Sequence, residues 1–366
     1  MKLTKKIATS VVAGALTLSL AACGSDTSPK ESFTQSFSQV KTPHQYKTDM
    51  SLAMKVDGDM TDPQLQQMAD VVNNSKISAT SVVDDTQKKS ETNLHLKVNM
   101  GGASLEGDIP MLLDEKQNKL YVGTDSLVKN LSQFIPIPPE LAGKLLEVDL
   151  DDQQAAQSID GLPTELSAYI QSPEFQKDAV KEFDNVLKNK KESEFTKDSD
   201  GNITVTVTKK DLIQYVKNVV KLVEKKSGED LSKQGLSQED LDKQLNKAFE
   251  SIKLEKSTVT AKVDGDDLKS HVINVKATVL DPEDKSKELA KINVKFDIAY
   301  NKDGYPTTQN VTLKGDFLDP KGNMKFEVTS KTKNSNFGKK QTFTIDPSKE
   351  ETITPEQIEA MMGQMQ

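Results

Sequence analysis

Few residues in this 366-residue chain pair a reactive side chain with a chemically meaningful spacing. The one cysteine, Cys23, follows Leu20, Ala21 and Ala22, so an internal disulfide is impossible. The three histidines, His44, His95 and His271, are far apart, and neither His-x-x-x-His nor a cysteine pair occurs, so no zinc site is encoded by motif. Ser104 lies between Gly102 and Gly107, but without the Gly-x-Ser-x-Gly spacing and following helix that present a nucleophile, and a strand turn is expected there. Asp198, Asp200 and Asn202 suggest a calcium loop, yet glycine comes fourth rather than sixth and Lys209 stands at the twelfth position, so a β-turn is expected. No glycine-rich phosphate loop is present. The expectation is a chain without cofactor or metal that is not an enzyme.

Cys23 has a more definite context. Lys2, Lys5 and Lys6 precede a short apolar run from Ile7 to Leu20, which small residues follow. A charged start, a short apolar core and small residues before the cut describe a secretory signal peptide. The run is shorter than the ~20 residues of a membrane span. Leu20-Ala21-Ala22-Cys23 resembles the lipobox of bacterial lipoproteins. That resemblance implies cleavage between Ala22 and Cys23, acylation of Cys23, and anchoring by acyl chains on the extracytoplasmic face of the cell membrane. Each buried methylene contributes roughly 0.8 kcal/mol, and two or more chains make an anchor stable. Removing residues 1–22 takes three lysines and no acid, leaving a surface more negative than the −8 of the whole chain. Such a surface is repelled by anionic headgroups, so the acyl chains and not a basic patch are expected to hold it.

Residues 24–42 are rich in Ser, Thr, Gln and Lys and are expected to form a flexible tether, completing a lipidated segment 23–42. The alternative there is a short helix docking through Phe33, Phe37 and Val40. The body, 43–366, alternates apolar and polar residues with period two over many segments. Strands are expected at 46–56, 76–86, 91–100, 103–113, 118–123, 193–208, 254–264, 268–280, 288–301, 308–318, 322–333 and 340–346. Helices are expected from Pro63, over 166–187 with a break at Pro173, over 209–226, after the capping box Ser237–Asp240, and from Pro355. Asn301-Lys302-Asp303-Gly304 is a hairpin signal.

Alternating βαβ units are missing, which disfavours a doubly wound or barrel α/β fold. The expected class is α+β: a large curved antiparallel sheet, a half-barrel, with several helices covering its concave face. Lys55-Val56-Asp57-Gly58-Asp59 recurs as Lys262-Val263-Asp264-Gly265-Asp266. This suggests two related halves, 43–160 and 190–350, joined by a helical segment, although turn chemistry alone also selects Asp-Gly.

Composition narrows the partner. Hydrophobic residues are 35% of the chain, and with the 18 glycines added the apolar share stays below the typical ~45–50%. All 48 basic residues are lysine, so the bidentate guanidinium fork for phosphate and carboxylate is absent. Net negative charge argues against nucleic acid.

A one-sided sheet with few helices is similar to the lipid-carrier lipoproteins of the LppX/LprG kind and the LolA-type lipoprotein chaperones, and to Gram-positive lipoproteins of that half-barrel type. The resemblance implies binding or carrying a hydrophobic, lipid-like ligand without catalysis. The apolar strand faces are the expected lining: Met50, Leu52, Met54 and Val56; Leu94, Leu96, Val98 and Met100; Val294, Phe296 and Ile298. The methionines concentrated in this block (Met50, Met54, Met60, Met68, Met100, Met111) suit a deformable pocket but are read first as core filler. The competing expectations are a cell-surface interaction lipoprotein with a filled core, and a solute receptor for a transporter, which would need two α/β lobes.

Overall fold

The computed structural model describes residues 28–59, 62–100, 103–132, 137–150, 173–227, 238–264, 267–319 and 322–363. The fold class is the expected α+β. The described residues form fifteen strands in an open, unclosed order and seven α-helices. Every described strand register is antiparallel except that of the last short strand. Residues group into two compact units.

Unit one comprises Met1–Lys41, Ala155–Pro306 and Lys314–Leu318. Its elements are α1 (Pro29–Ser36), α4 (Pro173–Lys188), β7 (Phe195–Lys197), β8 (Asn202–Val207), α5 (Lys209–Ser227), α6 (Gln238–Glu250), β9 (Ile252–Leu254), β10 (Ser257–Asp264), β11 (Asp267–Leu280) and β12 (Glu288–Tyr300). The strand order is β12-β11-β10-β8-β7, with β9 on β11. Cross-strand register places Ile203, Ala261, His271 and Ile298 in one row and Val205, Val259, Ile273 and Phe296 in the next. This face is sealed by α1, α4, α5 and α6: Phe33, Ala179, Leu187, Val219 and Val223 are fully buried against Ile203 and Val205. Helix α5 starts where Thr208 and Asp211 cap each other, the Thr208 N–H donating to Asp211 Oδ2 at 2.7 Å.

Unit two comprises Thr42–Gln154, Thr307–Leu313 and Asp319–Gln366. It holds β1 (Gln45–Gly58), α2 (Pro63–Asn73), β2 (Lys76–Asp84), β3 (Lys89–Met100), β4 (Ala103–Asp114), β5 (Lys119–Gly123), α3 (Asp125–Leu131), β6 (Leu145–Asp149), β14 (Gly322–Ser335), β15 (Thr352–Ile353) and α7 (Pro355–Gly363). Its order is β15-β6-β5-β4-β3-β2-β1-β14. Strand β13 (Pro306–Asp319) is divided between the units. The β2–β3 and β4–β5 connections share one device. Asp84 and Asp114 each accept backbone N–H groups two and three residues on, and Lys88 and Asn118 take positive φ.

Several expectations are corrected. The tether is folded from Pro29 onward: Phe33 and Phe37, four apart on one helical face, are both buried, which is enough apolar area to dock α1. The expected strand 193–208 breaks into β7 and β8 because Asp198 turns the chain, accepting from the N–H groups of Asp200 and Asn202, each at 2.9 Å, with Gly201 at φ +79°. The alternation at 340–346 belongs to no strand. Its backbone donors go to a carboxylate, the Thr344 and Ile345 N–H groups donating to Glu91 at 2.6 and 2.9 Å. The units are drawn differently from the expected halves, since β14 pairs with β1 along its length. The first copy of the repeated pentapeptide ends β1 before α2. The second falls at the β10–β11 connection, where Gly265 and Asp266 lie outside the described residues. The expected helix over 166–172 is also outside them.

Candidate functional site

The predicted lining divides between the units. In unit two, β1 pairs with β2 and β2 with β3, so Leu52, Ile77 and Leu96 form one row and Met50, Ala79, Leu94 and Ile109 the next. Met54 and Val56 extend the face beside Val328 and Phe326 of β14, and Val98 extends it beside Leu105 of β4. One face of five adjacent strands is therefore mostly apolar, as period two requires, with Ser330 and Thr332 of β14 beside Leu52 and Met50 as its polar members. Met50, Leu52, Met54, Val56, Leu94, Leu96 and Val98 are all half-buried, in contrast to the centre of the unit-one face, where Ile203, Val205, Val259 and Ile273 are buried. The backbone of Met100 continues the β3 pairing.

Helix α2 borders this face. Pro63 opens it under the Asp62 cap. Asn73 closes it onto β1 like a strand, accepting from the Val56 N–H at 2.7 Å and donating to the Val56 carbonyl at 2.8 Å. Helical spacing puts Leu65, Met68, Ala69 and Val72 on one side of α2, yet Ala69 is buried while Leu65 is 45% and Met68 63% exposed.

The other three predicted lining residues lie in unit one, on the face whose centre the helices cover. Phe296 packs against the helix-covered core, Ile298 is buried with Leu268 and Tyr300, and Val294 is paired with Val275 on the same face. Alternation alone cannot tell a face that helices cover from one that they leave half-open. Among the methionines, Met50, Met54 and Met111 lie half-buried on unit two, and Met60 is outside the described residues. Ala22 and Cys23 are outside them too.

The opposite face of unit two is polar and holds a groove of about 470 Å³. Asp49, Thr80 and Asn93 share one row there, and Ser51, Ser78, His95 and Asp108 the next, with Lys331 and Lys333 from β14. His95 Nδ1 is 3.1 Å from Asp108 Oδ1, which places this histidine on the polar side, as its neighbours in sequence indicate. Its surroundings offer hydroxyl, carboxylate and ammonium groups that can hydrogen-bond a polar group.

Sequence reasoning missed one constellation. His271 occupies an apolar-phase position of β11, with Nε2 3.0 Å from Ser36 Oγ and Nδ1 3.1 Å from Tyr300 Oη. The Phe37 ring stacks on the imidazole at 4.1 Å. Burial lowers the His271 pKa to about 3, so the ring is neutral. Ser36 and His271 are each 1% exposed and no substrate reaches them, so the arrangement fastens α1 to the sheet. The signal was available: His271 is in phase with Ile273 and Val275. Among the described residues no cluster of His, Cys, Asp and Glu could hold a metal ion, and no helix is long and apolar enough to cross a membrane. Compared with known proteins, the chain matches no family model and no curated sequence.

Proposed function

We propose that the protein is a lipoprotein anchored through acylated Cys23 on the extracytoplasmic face of the membrane, and that it binds a lipid-like ligand without catalysis. The observation that carries the ligand reading is the contrast between two apolar sheet faces. In unit one, helices bury the centre of the face, Ile203, Val205, Val259, Ala261 and Ile273, almost completely, and only its margin, with Val275 and Phe296, stays partly buried. In unit two, Leu52, Ile77 and Leu96, and Met50, Leu94 and Ile109 around buried Ala79, stay half-buried. Each fully buried large aliphatic side chain is worth ~1.5–3 kcal/mol relative to exposure, so a face with about seven such residues half-covered gains by taking an acyl chain. Flexible Met50 and Met54 suit chains of differing shape.

The test is native mass spectrometry of the whole protein extracted from membranes in mild detergent. Denaturing spectra of the same sample count the acyl groups held covalently at Cys23. A further mass present only in the native spectrum, displaced by a fluorescent fatty acid, supports the reading. No extra mass and no fatty-acid binding sinks it and leaves the cell-surface interaction reading, for which the polar groove around His95 is the contact to test.

A further inference from the structure

Ser28, the cap of helix α1, lies five residues beyond the cysteine that the preceding section anchors. Five residues at full extension span at most ~18 Å. The headgroup layer of one leaflet occupies about 5–7 Å of that length. Ser28, the cap of α1, therefore lies within little more than 10 Å of the headgroup surface, whatever path residues 24–27 take.

Ser28 is part of a rigid corner. Its hydroxyl accepts from the Glu31 N–H at 3.2 Å. The Lys30 N–H donates to Glu192 Oε1 at 3.1 Å, and Lys30 Nζ donates to the carbonyls of Lys188 at 2.8 Å and Lys190 at 2.6 Å. Those carbonyls lie at and just beyond the C-terminus of α4, where a cation is favoured. Lys190 in turn bridges Glu194 at 3.0 Å and Asp211 at 2.8 Å with its own side chain buried. The corner is thus tied to α4, α5 and β7. At its other end the α1 segment is locked again, through Ser36 on His271, Gln39 on the Leu268 N–H at 2.7 Å, and the Lys41 N–H on the Gly304 carbonyl at 2.9 Å.

We infer that the first turn of α1, together with the 188–194 turn that holds it, is the bilayer-facing end of unit one and rests on the lipid headgroups. The inference depends on anchoring at Cys23. Exposed Lys188, Asn189, Lys191, Glu192 and Ser193 present a polar, nearly charge-balanced surface with no apolar side chain to insert. The contact is therefore set by the short connection and not by charge, and it is insensitive to salt. The helix holds the 301–304 turn away from this end by its own length of ~12 Å and the Phe37–Lys41 segment beyond it.

The experiment uses the full acylated chain in phosphatidylcholine vesicles that carry nitroxide-headgroup lipids. A fluorophore is attached to Asn189→Cys or, in a second protein, to Lys302→Cys; acylation blocks Cys23. Label at 189 is expected to be quenched several-fold more than label at 302, equally in low and high salt. Inserting twenty Gly/Ser residues after Ser25 should abolish the difference while α1 stays docked. Equal quenching, or stronger quenching at 302, with the protein still floating with the vesicles overturns the orientation and leaves the anchor intact. Unmodified Cys23 in the mass spectrum, or protein left behind on flotation, overturns the anchor and the orientation with it.

Discussion

The Ser36 hydroxyl lies 3.0 Å from Nε2 of His271, across 235 residues of sequence, and the two close the main core of unit one over α1. Burial holds the His271 pKa down near 3, against about 6.5 in an unfolded chain. A lowered pKa means that the unfolded state binds the proton first. The contribution of neutral His271 is complete above pH ~6.5 and falls as pH drops toward 3, by up to about 1.4 kcal/mol per unit. His271→Gln should cost about 1–3 kcal/mol at pH 7.5, where its partners lose the ring, and less at pH 5, where wild type has lost part of that contribution. Urea unfolding at both pH values checks this; stability curves that stay parallel would refute the neutral buried ring.

Gly304 holds the same segment from another side. Its φ is +84°, and a Cβ there would lie 1.7 Å from the Gln39 carbonyl oxygen. Gly304→Ala must strain the hairpin or push residues 39–41 off it, at an expected ~1–3 kcal/mol. Tryptic cleavage at Lys41 should accelerate in the native state, while cleavage at Lys339 in unit two stays unchanged. An unchanged rate at Lys41 and an unchanged urea midpoint would contradict the close approach.

Glu91 acts as the missing strand for the 340–346 segment. Its carboxylate receives the Thr344 N–H at 2.6 Å, the Thr344 hydroxyl at 2.5 Å and the Ile345 N–H at 2.9 Å, beside the core of Leu112, Tyr121, Leu145 and Ile345. Glu91→Ala leaves these donors unpaired and should cost about 2–4 kcal/mol. Hydrogen exchange at Thr344 and Ile345 should quicken more than exchange in β2. Retained protection at both amides would show that the carboxylate is not their partner.

These cases mark how far the sequence carries. Period-two alternation located β1, β3, β11 and β12 to within a few residues, because each has one polar and one apolar face. It gave no pairing for β1 with β14, since that register joins residues nearly 290 apart and is chosen by the whole fold. It misassigned 340–346, where the side chains alternate into a core but a carboxylate binds the backbone. It marked Leu52 and Phe296 alike as lining, because what covers a strand face is decided by helices elsewhere in the chain. The docked α1 was legible only as Phe33 and Phe37 four apart, a weak signal in a polar stretch.

The half-buried rows of unit two give the sharpest test of ligand binding. Leu52 and Leu96 flank Ile77 in one row, and neither is fully buried. A lysine at such a position can carry its ammonium to water along its own stem, so Leu52→Lys and Leu96→Lys should fold with modest loss of stability. Each places a charge where an acyl chain would lie, and desolvating it on binding costs several kcal/mol. Bound lipid should fall at least tenfold in each variant by native mass spectrometry, with circular dichroism unchanged. His95→Ala, on the opposite face, should keep its lipid. If both lysine variants retain lipid at the wild-type level while folded, the face through Leu52, Ile77 and Leu96 is not the binding surface.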